Sequence, residues 1–224
     1  MKDEQYKSPV FPKWVNTLHG FVLLGVTLVF LSVTFVFWYW LGPKHLEVGY
    51  IPKQPIAYSH KLHAGDLGID CRYCHFTVET AAHAAIPTTE TCMNCHSVIQ
   101  SGSKTGEAEI AKIYASFNEK KPIEWVKVHQ LPDYAYFNHS RHVNAGVSCV
   151  SCHGRVDQME VVQQVEPLSM GWCLDCHRAP EAHLRPKELV TKMDWKADDP
   201  IATGRIIREA YQIRPGEDCS TCHR

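Results

Sequence analysis

Five Cys-x-x-Cys-His motifs use all ten cysteines of this 224-residue chain. They run Cys71 to His75, Cys92 to His96, Cys149 to His153, Cys173 to His177 and Cys219 to His223. This is the spacing of covalent c-type haem attachment. Two thiols separated by two residues can each form a thioether to one porphyrin. The histidine that follows then stands where its imidazole takes the iron: His75, His96, His153, His177 and His223. Five covalently bound haem c groups on one short chain imply electron transport rather than storage or structural metal.

Zinc is the competing chemistry for Cys-x-x-Cys pairs. Cys74 and Cys92 flank 17 residues, and Cys152 and Cys173 flank 20, both within zinc-ribbon range. A four-cysteine zinc site has no use for a histidine after each second cysteine, yet every pair has one. The Cys219/Cys222 pair would also lack a partner. Iron–sulfur ligation fits less well, because no pair belongs to a Cys-x-x-Cys-x-x-Cys run.

A second axial ligand decides between carrier and catalyst, because a catalytic haem leaves one position open. Of the 14 histidines, nine do not follow a cysteine pair. His60, His63, His139 and His142 are the best candidates, since an i, i+3 pair on a helical turn shares one face and can reach two neighbouring irons. His129 would complete a set of five. His83, His183, Met159 and Met170 stay open as alternatives, the methionines as soft thioether ligands. His19 and His45 read as interfacial or exposed residues. Arg141, Arg155, Arg178, Arg185 and Lys187 could pair with propionates.

The positioning elements come next. A net charge of −1 gives no reason to expect nucleic-acid binding. Few apolar stretches follow residue 50, so porphyrin would supply much of the interior and the haem-free chain is not expected to fold. Phe21 to Leu41 is 21 residues without a charge, about 31 Å as a helix and long enough to span a bilayer. Trp14 precedes it, Trp38, Tyr39 and Trp40 close it as an aromatic belt, and Gly42-Pro43 ends it. A cleaved signal peptide would have a small-x-small site, which the bulky end lacks. The organisation expected is a cytoplasmic tail over 1–17, a transmembrane signal anchor over 18–41, a connector over 42–56 and an extracytoplasmic pentahaem domain over 57–224. Orientation follows from haem attachment outside the cytoplasm; Lys2, Lys7 and Lys13 agree, Asp3 and Glu4 dilute that signal and Lys44 opposes it.

Tyr58-x-His60-x-x-His63 precedes the first two motifs and Phe137-x-His139-x-x-His142 the third and fourth, which suggests a duplicated two-haem unit with the fifth motif appended. Between the halves, Ile110, Ile113, Tyr114 and Phe117 predict an amphipathic helix, with Thr105 as N-cap and Glu107 and Glu109 in its first turn. The fifth motif, near the end of the chain, is expected close to the surface, where electrons would enter or leave.

The paired histidines upstream of Cys-x-x-Cys-His resemble those of class III multihaem cytochromes. Three stretches resemble the pentahaem subunit of alternative complex III: Gln54-Pro55-Ile56-Ala57-Tyr58-Ser59-His60-Lys61-Leu62-His63, Val128-His129-Gln130-Leu131-Pro132-Asp133, and Met170-Gly171-Trp172-Cys173-Leu174-Asp175-Cys176-His177-Arg178. The resemblance implies a mainly α fold with much irregular coil, one N-terminal transmembrane helix and a multihaem cytochrome c domain whose core is the haem stack. It implies a subunit, not an enzyme on its own, within a menaquinol-oxidising complex in the bacterial inner membrane. Implied partners are an iron–sulfur subunit, polytopic quinol-binding subunits, a monohaem cytochrome c and a soluble carrier or terminal oxidase. It also implies His60 as ligand to the Cys71/Cys74 haem and His139 to the Cys149/Cys152 haem, with His63 and His142 reaching haems it does not specify. The alternative is a stand-alone membrane quinol dehydrogenase feeding a periplasmic reductase. A catalytic reductase is disfavoured, since no Cys-x-x-Cys-Lys is present.

Overall fold

The computed structural model describes residues 11–224; Lys2, Asp3, Glu4 and Lys7, which bear on orientation, lie outside the described residues. The chain divides into a unit ending at Leu46 and a unit over Glu47–Arg224.

The first unit is built on α1, Trp14–Trp40, a 27-residue helix. Its most apolar window has a mean hydropathy of 2.5 and none of that window is buried. At about 40 Å it is long enough and apolar enough to cross a bilayer. The helix starts at Trp14 because nothing between Pro12 and Leu18 breaks it; the Val15 amide already donates to the Pro12 carbonyl at 2.9 Å. Gly42 and Pro43 end it, and a single turn, α2 (Pro43–Leu46), follows. His45 is exposed, with its ring 4.4 Å from that of Tyr39 and 5.7 Å from that of Trp40.

The second unit is short helices joined by irregular chain. Each cysteine motif sits on a helical turn: α3 (Cys71–Cys74), α4 (Thr89–His96), α7 (Val150–His153), α8 (Met170–Arg178) and α10 (Cys219–Cys222). Side-chain oxygens just ahead of these turns satisfy their first amides. Asp70 accepts from Arg72 N, Ser148 from Val150 N and Ser169 from Trp172 N. Asp218 instead binds the hydroxyls of Ser220 and Thr221. The first histidine pair lies on a π-helical turn, Lys61–Asp66, capped by His60. The second lies on α6, His139–Asn144. Among the described residues there is no strand, only an isolated bridge between Val147 and Leu184.

The helix between the halves is α5, Lys104–Glu119, with Ile110 and Ile113 buried. Its N-cap is Ser103 rather than Thr105: Ser103 has the extended backbone a cap needs and its Oγ accepts from Gly106 N at 3.1 Å. Glu109 lies past the first turn, where it accepts from the Ala57 amide and from Lys112. Residues 47–56, read from sequence as a connector, are bound into the second unit. Gly49 N donates to the Gln164 carbonyl at 2.7 Å, Gln164 N to that of Tyr50 at 3.0 Å, and Gln54 brackets Val126 with two bonds.

Among the described residues the buried apolar interior consists of eight side chains: Ile56, Val78, Ile110, Ile113, Val143, Leu184, Val190 and Ile207. Only Val78, Val143 and Val190 form a cluster, with Ala84 against it. So small a core does not offset the entropy of ordering a unit of this size. Helix α9, Pro200–Ala210, docks by close approach: a Cβ at Gly204 would sit 1.9 Å from the Glu181 carbonyl oxygen. Arg208 also pairs with Glu181. Gly204→Ala should therefore cost about 1–3 kcal/mol by forcing the helix off the 180–183 turn, read as a lower melting temperature of the haem-loaded protein. Chain produced without haem attachment should lack near-ultraviolet circular dichroism and be degraded rapidly by protease.

Candidate functional site

A neutral imidazole binds iron through one nitrogen, and its orientation is set by what the other nitrogen does. In seven of the candidate ligands, Nδ1 faces a backbone carbonyl. The acceptors are Ser59 for His63 (2.8 Å), Ala85 for His75 (2.6 Å), Ile99 for His96 (3.1 Å), Ala82 for His139 (2.9 Å), Asn138 for His142 (2.8 Å), Gly216 for His177 (2.7 Å) and Tyr134 for His223 (2.9 Å). A carbonyl can only accept, so Nδ1 carries the proton and Nε2 keeps a free lone pair.

The rings are also paired across space. His63 and His96 have centroids 6.2 Å apart, His142 and His177 6.1 Å, and His139 and His153 6.4 Å. Two imidazole–metal bonds of about 2.0 Å, plus about 1.1 Å from each nitrogen to its ring centre, make about 6.2 Å. Each pair is therefore spaced to hold one iron between its rings. Burial, then the charges of His75 and His63, lower His60 to about 4. Its Nδ1 is buried without a partner. Burial, then His129 and His139, lower His153 to about 3. Burial thus favours the neutral form of both rings, the form that binds a metal.

Aromatic rings fix the histidine pairs, and the two halves do this alike. Tyr58 lies edge-on to His60 at 4.8 Å and stacks on His63 at 4.4 Å. Phe137 lies edge-on to His139 at 4.7 Å and stacks on His142 at 4.4 Å. The duplication visible in the sequence is thus a duplication of geometry.

His129 occupies a different kind of position. Its Nε2 is 3.4 Å from Nδ1 of His153, and the ring centroids are 4.4 Å apart, too close for an iron between them. His223 faces Tyr134, with ring centroids 5.9 Å apart. His83 is exposed and Met170 is 63% exposed; the Met159 methyl packs near Gly154 at the third motif. Among the propionate candidates, Arg155 is bound by Asp157 and Arg178 lies against Glu217. Lys187 lies over the Tyr211 ring. Arg185 is buried between the Lys192 carbonyl and the face of Trp195. The carbonyls that orient the imidazoles carried no signal in the sequence, since any residue supplies one.

None of the ten cysteines is in a disulfide. Burial pushes Cys149 up to about 11, with Cys71 adding to the shift, and Cys152 up to about 12, with Cys176 adding. Among the described residues, no group of three or more Cys, His, Asp or Glu side chains converges on a common point that could hold a bare metal ion. Thioether anchors with histidine pairs suit a porphyrin iron instead.

Comparison with known proteins agrees. Residues 135–224 match the family model described as cytochrome c7 and related cytochrome c. A protein of Nitratidesulfovibrio vulgaris strain Hildenborough, named menaquinone reductase, multiheme cytochrome c subunit, is 36% identical over 124 residues, 55% of this chain and 55% of that protein. The chain thus spans about half the length of that relative. Mainly helical and without strands among the described residues, with one N-terminal apolar helix, this chain carries a multihaem cytochrome c domain.

Two predictions follow from this geometry. If His60, His63, His139 and His142 are the sixth ligands of four irons, at most one iron per chain should bind CO in the reduced protein; a CO difference spectrum showing two or more would contradict that assignment. Asp70, which caps α3, is held well below the usual carboxylate range, first by its bond from Arg72. A depressed folded-state value adds stability that is present above the ordinary value of about 3.9 and is lost as pH falls through the folded value. Thermal melts should show Asp70→Asn less stable at pH near 7, with the difference shrinking below about pH 4.

Proposed function

We propose that this chain is the electron-transfer subunit of a quinone-linked membrane complex, with no substrate site of its own. The observation that supports it most is the set of imidazole pairs at 6.1–6.4 Å. Filled axial positions at four of the five irons would let electrons pass with little reorganisation and would leave substrate no position at those four. In this reading five haem c groups are held by the ten cysteines, with His75, His96, His153, His177 and His223 as proximal ligands. His60, His63, His139 and His142 are the sixth ligands of the first, second, third and fourth irons. His129, which would have completed the set, serves instead as hydrogen-bond acceptor to His153.

Bound haem supplies one-electron redox chemistry, and the protein's own groups do the rest. Nδ1–H donation to fixed carbonyls holds seven of the nine rings in place and raises the basicity of their Nε2, which would favour the ferric state of a bound haem. Tyr58 and Phe137 prevent the paired rings from turning. The helix α1 serves as a single-pass anchor in the cytoplasmic membrane. The haem domain belongs on the outer face, because haem attachment to Cys-x-x-Cys-His takes place there.

The finer assignment is the pentahaem subunit of alternative complex III. Electrons would pass from iron–sulfur and polytopic quinol-binding subunits to a monohaem cytochrome, a soluble carrier or a terminal oxidase. The resemblance of the three stretches quoted above supports menaquinol oxidation, whereas the Nitratidesulfovibrio relative is named for menaquinone reduction. Both use the same redox couple; direction depends on whether the partner's potential lies above or below it.

Extraction of the native membrane in mild detergent tests this reading. An iron–sulfur subunit and a polytopic subunit should co-purify with the chain, and menaquinol should reduce the haems only while they are present. Full haem reduction by menaquinol with the isolated chain would instead establish a stand-alone quinol dehydrogenase.

A further inference from the structure

The order of the motifs along the chain is not the order in which the structure connects them. The second site meets the first through their middle residues: Asn94 Nδ2 donates to Tyr73 Oη at 3.1 Å. The ring of Tyr58 spans the same junction, touching both His60 and His63. The first site meets the third on one stretch of backbone. Cys71 Sγ lies 4.0 Å from the Thr191 carbonyl, and Cys149 N donates to the adjacent Val190 carbonyl at 3.2 Å. Both the amide and the ring of His139, a ligand of the third site, bond to Ala82 in the loop that trails the first motif.

The third site meets the fourth through Phe137, which touches both His139 and His142. The fourth meets the fifth where His177 Nδ1 donates to Gly216 and Arg178 lies 3.5 Å from Glu217, both just ahead of Cys219.

We propose that the five haem sites form one unbranched relay in the order second, first, third, fourth, fifth, and that electrons enter and leave through the second and the fifth. The inference rests on the reading that all five motifs carry haem. It has a structural corollary: the two duplicated two-haem units meet head to head through their leading sites, the first and the third. Their trailing sites point outward, and the fifth extends one side only.

Exposure agrees with the ends assigned. Cys95 of the second motif and Cys219 of the fifth are the two exposed cysteines; the other eight are partly buried. Val98 (81% exposed) and Ile99 (55%) lie beside Cys95, and Tyr134 (67%), whose carbonyl holds His223, lies at the other end. Apolar side chains around an exposed haem edge suit brief docking of a redox partner. In this order every electron that crosses between the two ends passes through the first, third and fourth sites.

The test is an experimental structure of the full haem-loaded chain with its irons located by anomalous scattering at the iron edge. The four shortest iron–iron separations should join second to first, first to third, third to fourth and fourth to fifth. A second-motif iron nearest to any iron but the first, or a fifth nearest to any but the fourth, overturns the relay. A pyridine haemochrome count on the same sample separates the two levels: five haems in another order reject only the relay, whereas fewer than five reject the haem reading beneath it.

Discussion

Everything in the second unit depends on imidazole rings held in opposed pairs with their Nε2 atoms free. The constraint is severe, because each ring must keep one nitrogen protonated, the other bare, and its plane fixed against rotation. Backbone carbonyls of Ser59, Ala82, Ala85, Ile99, Tyr134, Asn138 and Gly216 meet the first two demands. The rings of Tyr58 and Phe137 meet the third. A carbonyl is in the right place only if the loop that carries it is, and so the irregular chain between motifs becomes the most specified part of the molecule. This explains a domain with many short helices, no strands among the described residues and few buried aliphatic side chains.

The same constraint shifts the energetics from protein core to cofactor. With eight buried apolar side chains, the polypeptide gains little from its own burial. Ten thioether bonds and the paired axial ligands would tie remote segments together much as a metal does in a small metalloprotein, where binding energy is folding energy. Close approaches such as Gly204 against the Glu181 carbonyl then refine a shape that the cofactors hold.

Parts of this were legible in the residues alone. Attachment chemistry shows in a five-residue motif, because thioether and axial bonds are local. The i, i+3 spacing of His60/His63 and His139/His142 was legible, and the structure puts each pair at one helical turn. Which ring the second member meets was not, since it depends on the path of the chain: His63 faces His96, and His142 faces His177. His129 reads as one more ligand by type, and its contact with the His153 ring is something that type alone does not carry. Thr105 and Ser103 are equally good caps by residue type; the backbone conformation at Ser103 decides between them. Residues 47–56 read as a linker by their proline and glycine content, but Gln54 and Gly49 bond to chain more than seventy residues away.

Ligand pairing is what distinguishes a carrier from a catalyst here, and near-infrared magnetic circular dichroism of the oxidised protein reads it directly, since histidine–histidine, histidine–methionine and five-coordinate haems have different signatures. Normalised to haem content, four histidine–histidine centres per chain are expected. A spectrum dominated by high-spin or histidine–methionine haem would contradict the pairing on which both the proposed function and the relay depend.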